Sequence, residues 1–151
     1  TKPPPDSAAV LIKTWHQVIS LFRQSSTQPR WLFIGGKSMG GRIASMVVEA
    51  EKVDDIVCLG YPFHPPGKPD TLRTKHLEGL NIPMLICQGE RDVFGHRAES
   101  DSWRLSHSIQ FSWLTNGDHS FKPRKKSGLT EAENRTTAYQ SIVEFIAGTQ
   151  R

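Results

Sequence analysis

The sequence predicts an α/β fold: a mainly parallel sheet of about four strands with helices on both faces. Two observations lead there. Short apolar runs suited to buried strands, at 31–34, 56–60, 83–89 and 109–114, alternate with segments whose apolar residues recur every three or four positions. That alternation implies right-handed crossovers between parallel neighbours. The size agrees: 151 residues, 36% hydrophobic and 23% charged, suit one domain with one core, taken as 1–151.

In chain order, a proline-rich start at 1–5 has nothing to pack, and Asp6 or Ser7 can cap the helix that follows. Ala8, Leu11, Ile12, Trp15, Val18, Ile19 and Phe22 then give it one apolar face. His16 lies off that face and is expected in solvent. A polar connector, 24–30, leads to the strand of Trp31, Leu32, Phe33 and Ile34. Beyond Gly36-Lys37-Ser38-Met39-Gly40, the residues Ile43, Ala44, Met46, Val47 and Val48 form a second helical stripe. A charged turn at 49–55 precedes the strand 56–60. The loop Tyr61-Pro62-Phe63-His64-Pro65-Pro66-Gly67 cannot pair regularly because of its prolines. It follows a strand's carboxyl end, where open α/β sheets place ligands, so Tyr61, Phe63 and His64 are expected to line a pocket. The alternative for His64 is a loop histidine bonded to backbone.

Residues 72–80 and 98–106 read as short helices and 83–89 and 109–114 as strands. The turn Asn116-Gly117-Asp118-His119 ends the last strand. Thr130 and Glu133 then make a capping box for a final helix with Tyr139, Ile142, Val143 and Ile146 on one face.

The chemistry gathers at three strand exits. In Gly36-Lys37-Ser38-Met39-Gly40, small residues let strand and helix approach, so a serine in a strained turn can project its hydroxyl. A phosphate-binding loop is excluded, because that motif needs glycine five residues before Gly36 and position 31 is Trp31. Asp92 follows the third strand and His119 the fourth, so the topology brings Ser38, Asp92 and His119 to one edge. A serine hydroxyl is a poor nucleophile until a base removes its proton, and an imidazole needs a partner to fix its tautomer. Ser38 is therefore read as nucleophile, His119 as general base and then acid, and Asp92 as the carboxylate that orients His119. The Met39 amide is read as an oxyanion donor. Glu90 is the nearest competitor to Asp92, Asp101 a remoter one, and Asp118 is assigned to the turn.

Other classes are disfavoured. The net charge is +4, but Lys122, Arg124, Lys125 and Lys126 supply as much within one loop, with no broad basic face for nucleic acid. That loop follows His119 closely enough to favour anionic substrates if it borders the site, although a solvated surface loop is the plainer expectation. Cys58 and Cys87 lie in apolar strands without metal-ligand spacing, so buried free thiols and a reducing, cytoplasmic setting are expected. No run is long and apolar enough to cross a bilayer, and no membrane association is expected.

The segments Gly35-Gly36-Lys37-Ser38-Met39-Gly40-Gly41-Arg42, Tyr61-Pro62-Phe63-His64, Gln88-Gly89-Glu90-Arg91-Asp92-Val93-Phe94-Gly95 and Gly117-Asp118-His119-Ser120-Phe121 resemble an α/β-hydrolase family. It is the one that includes testis-expressed hydrolase-like proteins, the hydrolase-like domain of a chromatin acetyltransferase-complex subunit, and bacterial proteins similar to dienelactone hydrolases. The chain order Ser, Asp, His is that of the α/β-hydrolase fold. The resemblance implies Ser38, Asp92 and His119 as a triad. With Tyr61, Phe63 and His64, the aromatic residues Phe94 and Phe121 are assigned to substrate binding. Hydrolases of this kind place several strands before the elbow, with a loop that provides a second oxyanion donor. Here one helix and one strand precede Ser38. The expectation is a domain incomplete at its amino end, with an upstream segment or another chain covering the exposed sheet edge. The expected function is hydrolysis of an ester, thioester or related small acyl substrate without metal or organic cofactor. The alternative is a noncatalytic hydrolase-like module that binds a protein partner.

Overall fold

The computed structural model describes residues 6–25 and 30–149. The proline-rich start at 1–5 and most of the polar connector, 26–29, lie outside the described residues. Helix α1 spans Ala8–Arg23 and is capped by Ser7, whose hydroxyl accepts from the Val10 amide at 3.4 Å. Strands β1 (Phe33–Lys37), β2 (Asp55–Leu59), β3 (Met84–Gly89) and β4 (Ile109–Leu114) form one parallel sheet in the order β1-β2-β3-β4. Helix α2 (Met39–Ser45) follows β1, and α3 (Glu131–Thr149) closes the chain.

Alternation along β3 shows how the layers are built. Met84 and Ile86 face the core under α1 and α2, with Ile34, Ala44, Val47, Val48, Ile56 and Cys58. Leu85 and Cys87 face α3, with Leu114, Phe121, Ala138 and Phe145. All six residues of β3 are buried because both sheet faces are covered. Register sets the strand ends level: Lys37 lies beside Leu59, Leu59 beside Cys87, and Gly89 beside Leu114. The exits after β1, β3 and β4 therefore share one edge.

Several elements depart from expectation. The first strand begins at Phe33, two residues late, and runs through Gly35, Gly36 and Lys37. Ahead of it, Leu32 is tied to Asp54 instead: its amide donates to the Asp54 carboxylate at 2.7 Å and its carbonyl accepts the Asp54 amide at 2.9 Å. Residues 72–80 and 98–106 close only the 3-10 turns Lys75–Leu77 and Arg97–Ser102, as suits short segments without a continuous stripe. On α1, Ile19 is buried but Val18 and Phe22 are exposed, because the helix packs on α2 along one side. His16 is not simply solvated; its Nδ1 bonds to the Glu51 carboxylate. Met46 falls outside α2 and is exposed.

The capping box of α3 forms, with the Glu133 amide donating to the Thr130 hydroxyl at 3.2 Å and the Glu133 carboxylate accepting the Thr130 amide at 2.6 Å. The buried face is another matter. Asn134, Ala138 and Phe145 point inward, while Tyr139 and Val143 are exposed and Ile142 and Ile146 lie at the core's margin. Small Ala138 brings the helix backbone close to β3, where its carbonyl lies 3.9 Å from the Cys87 thiol. Cys58 and Cys87 are free and buried, and burial pushes the Cys87 thiol up to about 12 and that of Cys58 further still.

Candidate active site

Ser38 occupies the one-residue junction between β1 and α2, with φ 52° and ψ −122°, a sparsely populated backbone for a non-glycine residue. Its amide donates to the Leu59 carbonyl at 2.9 Å, which anchors the turn to β2. The turn closes because Gly36 lacks a side chain: a Cβ there would lie 2.6 Å from the Gly40 carbonyl carbon and the Gly41 nitrogen. The Ser38 hydroxyl is thereby held above the sheet edge. Met39, as the first residue of α2, has an amide with no acceptor in the preceding turn.

His119 sits in the turn after β4. The Asp118 carboxylate accepts the amides of Ser120 at 2.8 Å and Lys122 at 3.0 Å, while Asn134 of α3 donates to the carbonyls of Thr115 at 3.1 Å and Phe121 at 2.8 Å. One face of the His119 ring meets Gly60, where φ is +66°. A Cβ at that glycine would stand 3.2 Å from the ring's Cε1 and Nδ1. Asp92 lies in the loop after β3, and the neighbouring Arg91 amide ties that loop to the histidine turn through the Gly117 carbonyl at 2.8 Å.

These three side chains form one hydrogen-bonded line. His119 Nε2 is 3.0 Å from Ser38 Oγ, and His119 Nδ1 is 2.8 Å from Asp92 Oδ2. A carboxylate only accepts, so Nδ1 carries the hydrogen and Nε2 is left to accept from the serine hydroxyl. Asp92 is fully buried; the imidazole is partly open, with 23% of its side chain exposed. Phe94 is half-buried with its ring centroid 4.5 Å from that of His119. Such an arrangement can move a proton from a hydroxyl to an imidazole at a solvent-accessible point.

The competing acids are engaged elsewhere. Glu90 accepts the Asn116 amide at 2.9 Å and pairs with Arg97 at 2.6 Å. The Asn116 bond, more than Arg97, holds its carboxyl below the usual range. Asp118 braces the turn, and Asp101 is exposed on Arg97–Ser102.

Four of the residues expected to contact substrate are corrected. Tyr61, Phe63 and His64 are buried, because the chain after β2 turns inward: the Arg73 amide donates to the Phe63 carbonyl at 2.7 Å and the His64 amide to that of Phe94 at 3.1 Å. Phe63 stacks on Trp103 with centroids 3.8 Å apart. The His64 ring bonds the Pro65 carbonyl and the Glu99 carboxylate, each at 2.8 Å. Phe121 is buried in the core against α3. Lys122, Arg124 and Lys125 are all exposed, on a loop clasped by a bridge between Gly117 and Pro123. Sequence reasoning missed Gln88, a fully buried amide that bonds Asp92. Its one signal was a polar residue inside an apolar strand. Among the described residues no group of three or more His, Cys, Asp or Glu could hold a metal ion, and no helix is long and apolar enough to cross a membrane.

Solved structures share this fold at low identity. An α/β serine hydrolase homologue from Coxiella burnetii is 16% identical, with a TM-score of 0.68 over 93% of this chain and 62% of that one. The esterase domain of a Rhodothermus marinus protein is 11% identical, with a TM-score of 0.62 over 92% and 68%. A monoacylglycerol lipase from Paleococcus ferrophilus is 13% identical, with a TM-score of 0.62 over 92% and 76%. The chain thus spans 62% of the length of the Coxiella protein. The family model described as "Alpha/beta hydrolase domain" matches residues 1–147, and the chain belongs to that family.

Proposed function

We propose that this chain is a serine hydrolase domain acting on an ester, thioester or related small acyl substrate. The observation that carries this reading is the continuous line from Ser38 Oγ through His119 to Asp92, at 3.0 and 2.8 Å. Ser38 Oγ attacks the acyl carbon while His119 Nε2 takes its proton. The tetrahedral oxyanion is met by the Met39 amide, and His119 returns the proton to the leaving oxygen or sulfur. Water, deprotonated by the same imidazole, then releases the acid. Asp92 keeps His119 in the required tautomer and stabilises the imidazolium. Phe94 forms a wall of the site beside the imidazole.

The four residue motifs support a place near the testis-expressed and dienelactone-hydrolase-like members of the family, and the free buried thiols support a cytoplasmic setting. A second reading, a noncatalytic module that binds a protein partner, is favoured by the exposed apolar residues Val10, Val18, Leu21 and Phe22 on α1. Steady-state hydrolysis of short-chain aryl esters and thioesters separates the two. The hydrolase reading expects turnover that falls by about 10⁴-fold or more in Ser38→Ala. Turnover indistinguishable from that variant supports the binding module.

A further inference from the structure

We propose that Gln88 is the positioning residue that sets the Asp92 carboxylate for His119, a role that rests on the hydrolase reading above. Gln88 is the penultimate residue of β3 and has no exposed surface. Its Oε1 accepts the Tyr61 amide at 2.8 Å. Its Nε2 faces three acceptors: Asp92 Oδ2 at 3.0 Å, the Tyr61 carbonyl at 3.2 Å and the Gly95 carbonyl at 3.3 Å. The orientation of the amide is therefore forced. Flipped, it would turn its oxygen on a carboxylate and two carbonyls and its NH2 on a backbone N–H, setting acceptor against acceptor and donor against donor.

The consequence reaches the reacting atoms in two steps. Asp92 is held on both oxygens: Oδ1 accepts the Phe94 amide at 2.9 Å, and Oδ2 accepts both Gln88 and His119 Nδ1. Without Gln88, Oδ2 keeps only the histidine, and the tilt of the carboxyl plane about Cβ–Cγ is set by the Phe94 amide and His119 alone. His119 then loses the fixed acceptor that defines its tautomer. The same amide clamps both backbone groups of Tyr61, joining the exit of β2 to the acid loop after β3. Gln88 touches no reacting atom, so its effect on rate passes through Asp92 and His119.

The test uses the 151-residue chain labelled with 15N, in wild type, Gln88→Met and Gln88→Glu. Methionine fills the space without donating. Glutamate keeps the acceptor for Tyr61 but sets a carboxyl against Asp92. Two readouts are followed: the low-field proton resonance of His119 Nδ1–H, and kcat and KM on an aryl ester. Expected is loss or upfield movement of that resonance in folded variants, with kcat lower by about tenfold to a hundredfold and KM changed little. A wild-type resonance and kcat in folded Gln88→Met overturn the proposal. Should both variants fail to fold, Asp92→Asn reads the contact from the other side. The Gln88 side-chain NH2 signals must then shift, and unmoved signals overturn the proposal. The resonance does not need turnover: an inactive wild type in which Gln88→Met still moves the His119 signal sinks the hydrolase reading and leaves the positioning role. An active wild type with both readouts unmoved does the reverse.

Discussion

Two acidic side chains leave the end of β3, and their surroundings divide their roles. Glu90 is tied to the Asn116 amide and to Arg97, and its carboxyl sits below the ordinary glutamate value of 4.5. The unfolded chain therefore binds more protons between the two values. Glu90 contributes stability in full above 4.5 and loses that contribution as pH falls through the folded value. Glu90→Gln should melt below wild type at about pH 7, and the gap should narrow as the pH falls below the ordinary glutamate value; a constant gap contradicts the assignment. The Asp92 carboxylate accepts instead from the N–H groups of Phe94, Gln88 and His119. Asp92→Asn should cost about 10⁴-fold in kcat with the fold intact, because the amide favours the wrong imidazole tautomer. Sequence order alone favoured Asp92 over Glu90 as the partner of His119. It could not reveal Gln88, whose role depends on three segments meeting around one amide. The burial of Tyr61 and Phe63 was hidden for the same reason: a proline-rich loop reads as surface until Phe63 stacks on Trp103 and Tyr61 packs on Phe63.

The elbow shows how much local sequence can specify at the level of an element. Strand, turn and helix occupy only 33–45, and the turn depends on glycines that let β1 and α2 touch. Gly36→Ala should destabilise the domain by about 2–4 kcal/mol in denaturant titration, since its Cβ would meet backbone and not a movable side chain. A loss below about 0.5 kcal/mol would mean that the elbow relaxes freely. β3 and β4 were legible because they are continuous apolar runs bounded by turn residues. β1 was misplaced because its glycines lack the side chains on which strand patterns rest, although parallel pairing to β2 overrides that weakness. The apolar face of α3 was misassigned because helical spacing admits a neighbouring stripe. Ala138 and Phe145, fitted against β3 and β4, decide which stripe turns inward.

For the whole molecule, the sheet order leaves β1 and β4 as edges, and Gly35 and Lys37 of β1 are exposed. Val10, Val18, Leu21 and Phe22 add apolar surface on α1. An open edge with apolar surface nearby favours association with another polypeptide. The 151-residue chain should show a weight-average mass that rises with concentration in sedimentation equilibrium, and Val18→Lys with Phe22→Lys should suppress the rise. A monomer at all concentrations would remove that expectation. The α/β class, the parallel order and the meeting of Ser38, Asp92 and His119 at one edge were legible because right-handed crossovers leave few alternatives. The central claim, that this meeting makes Ser38 a nucleophile, is tested most directly by fluorophosphonate labelling followed by peptide mass spectrometry. The account predicts one phosphonylated residue, Ser38, with labelling abolished in Ser38→Ala and strongly slowed in His119→Ala. An unlabelled Ser38 in folded wild-type protein, or labelling indifferent to His119, would contradict it.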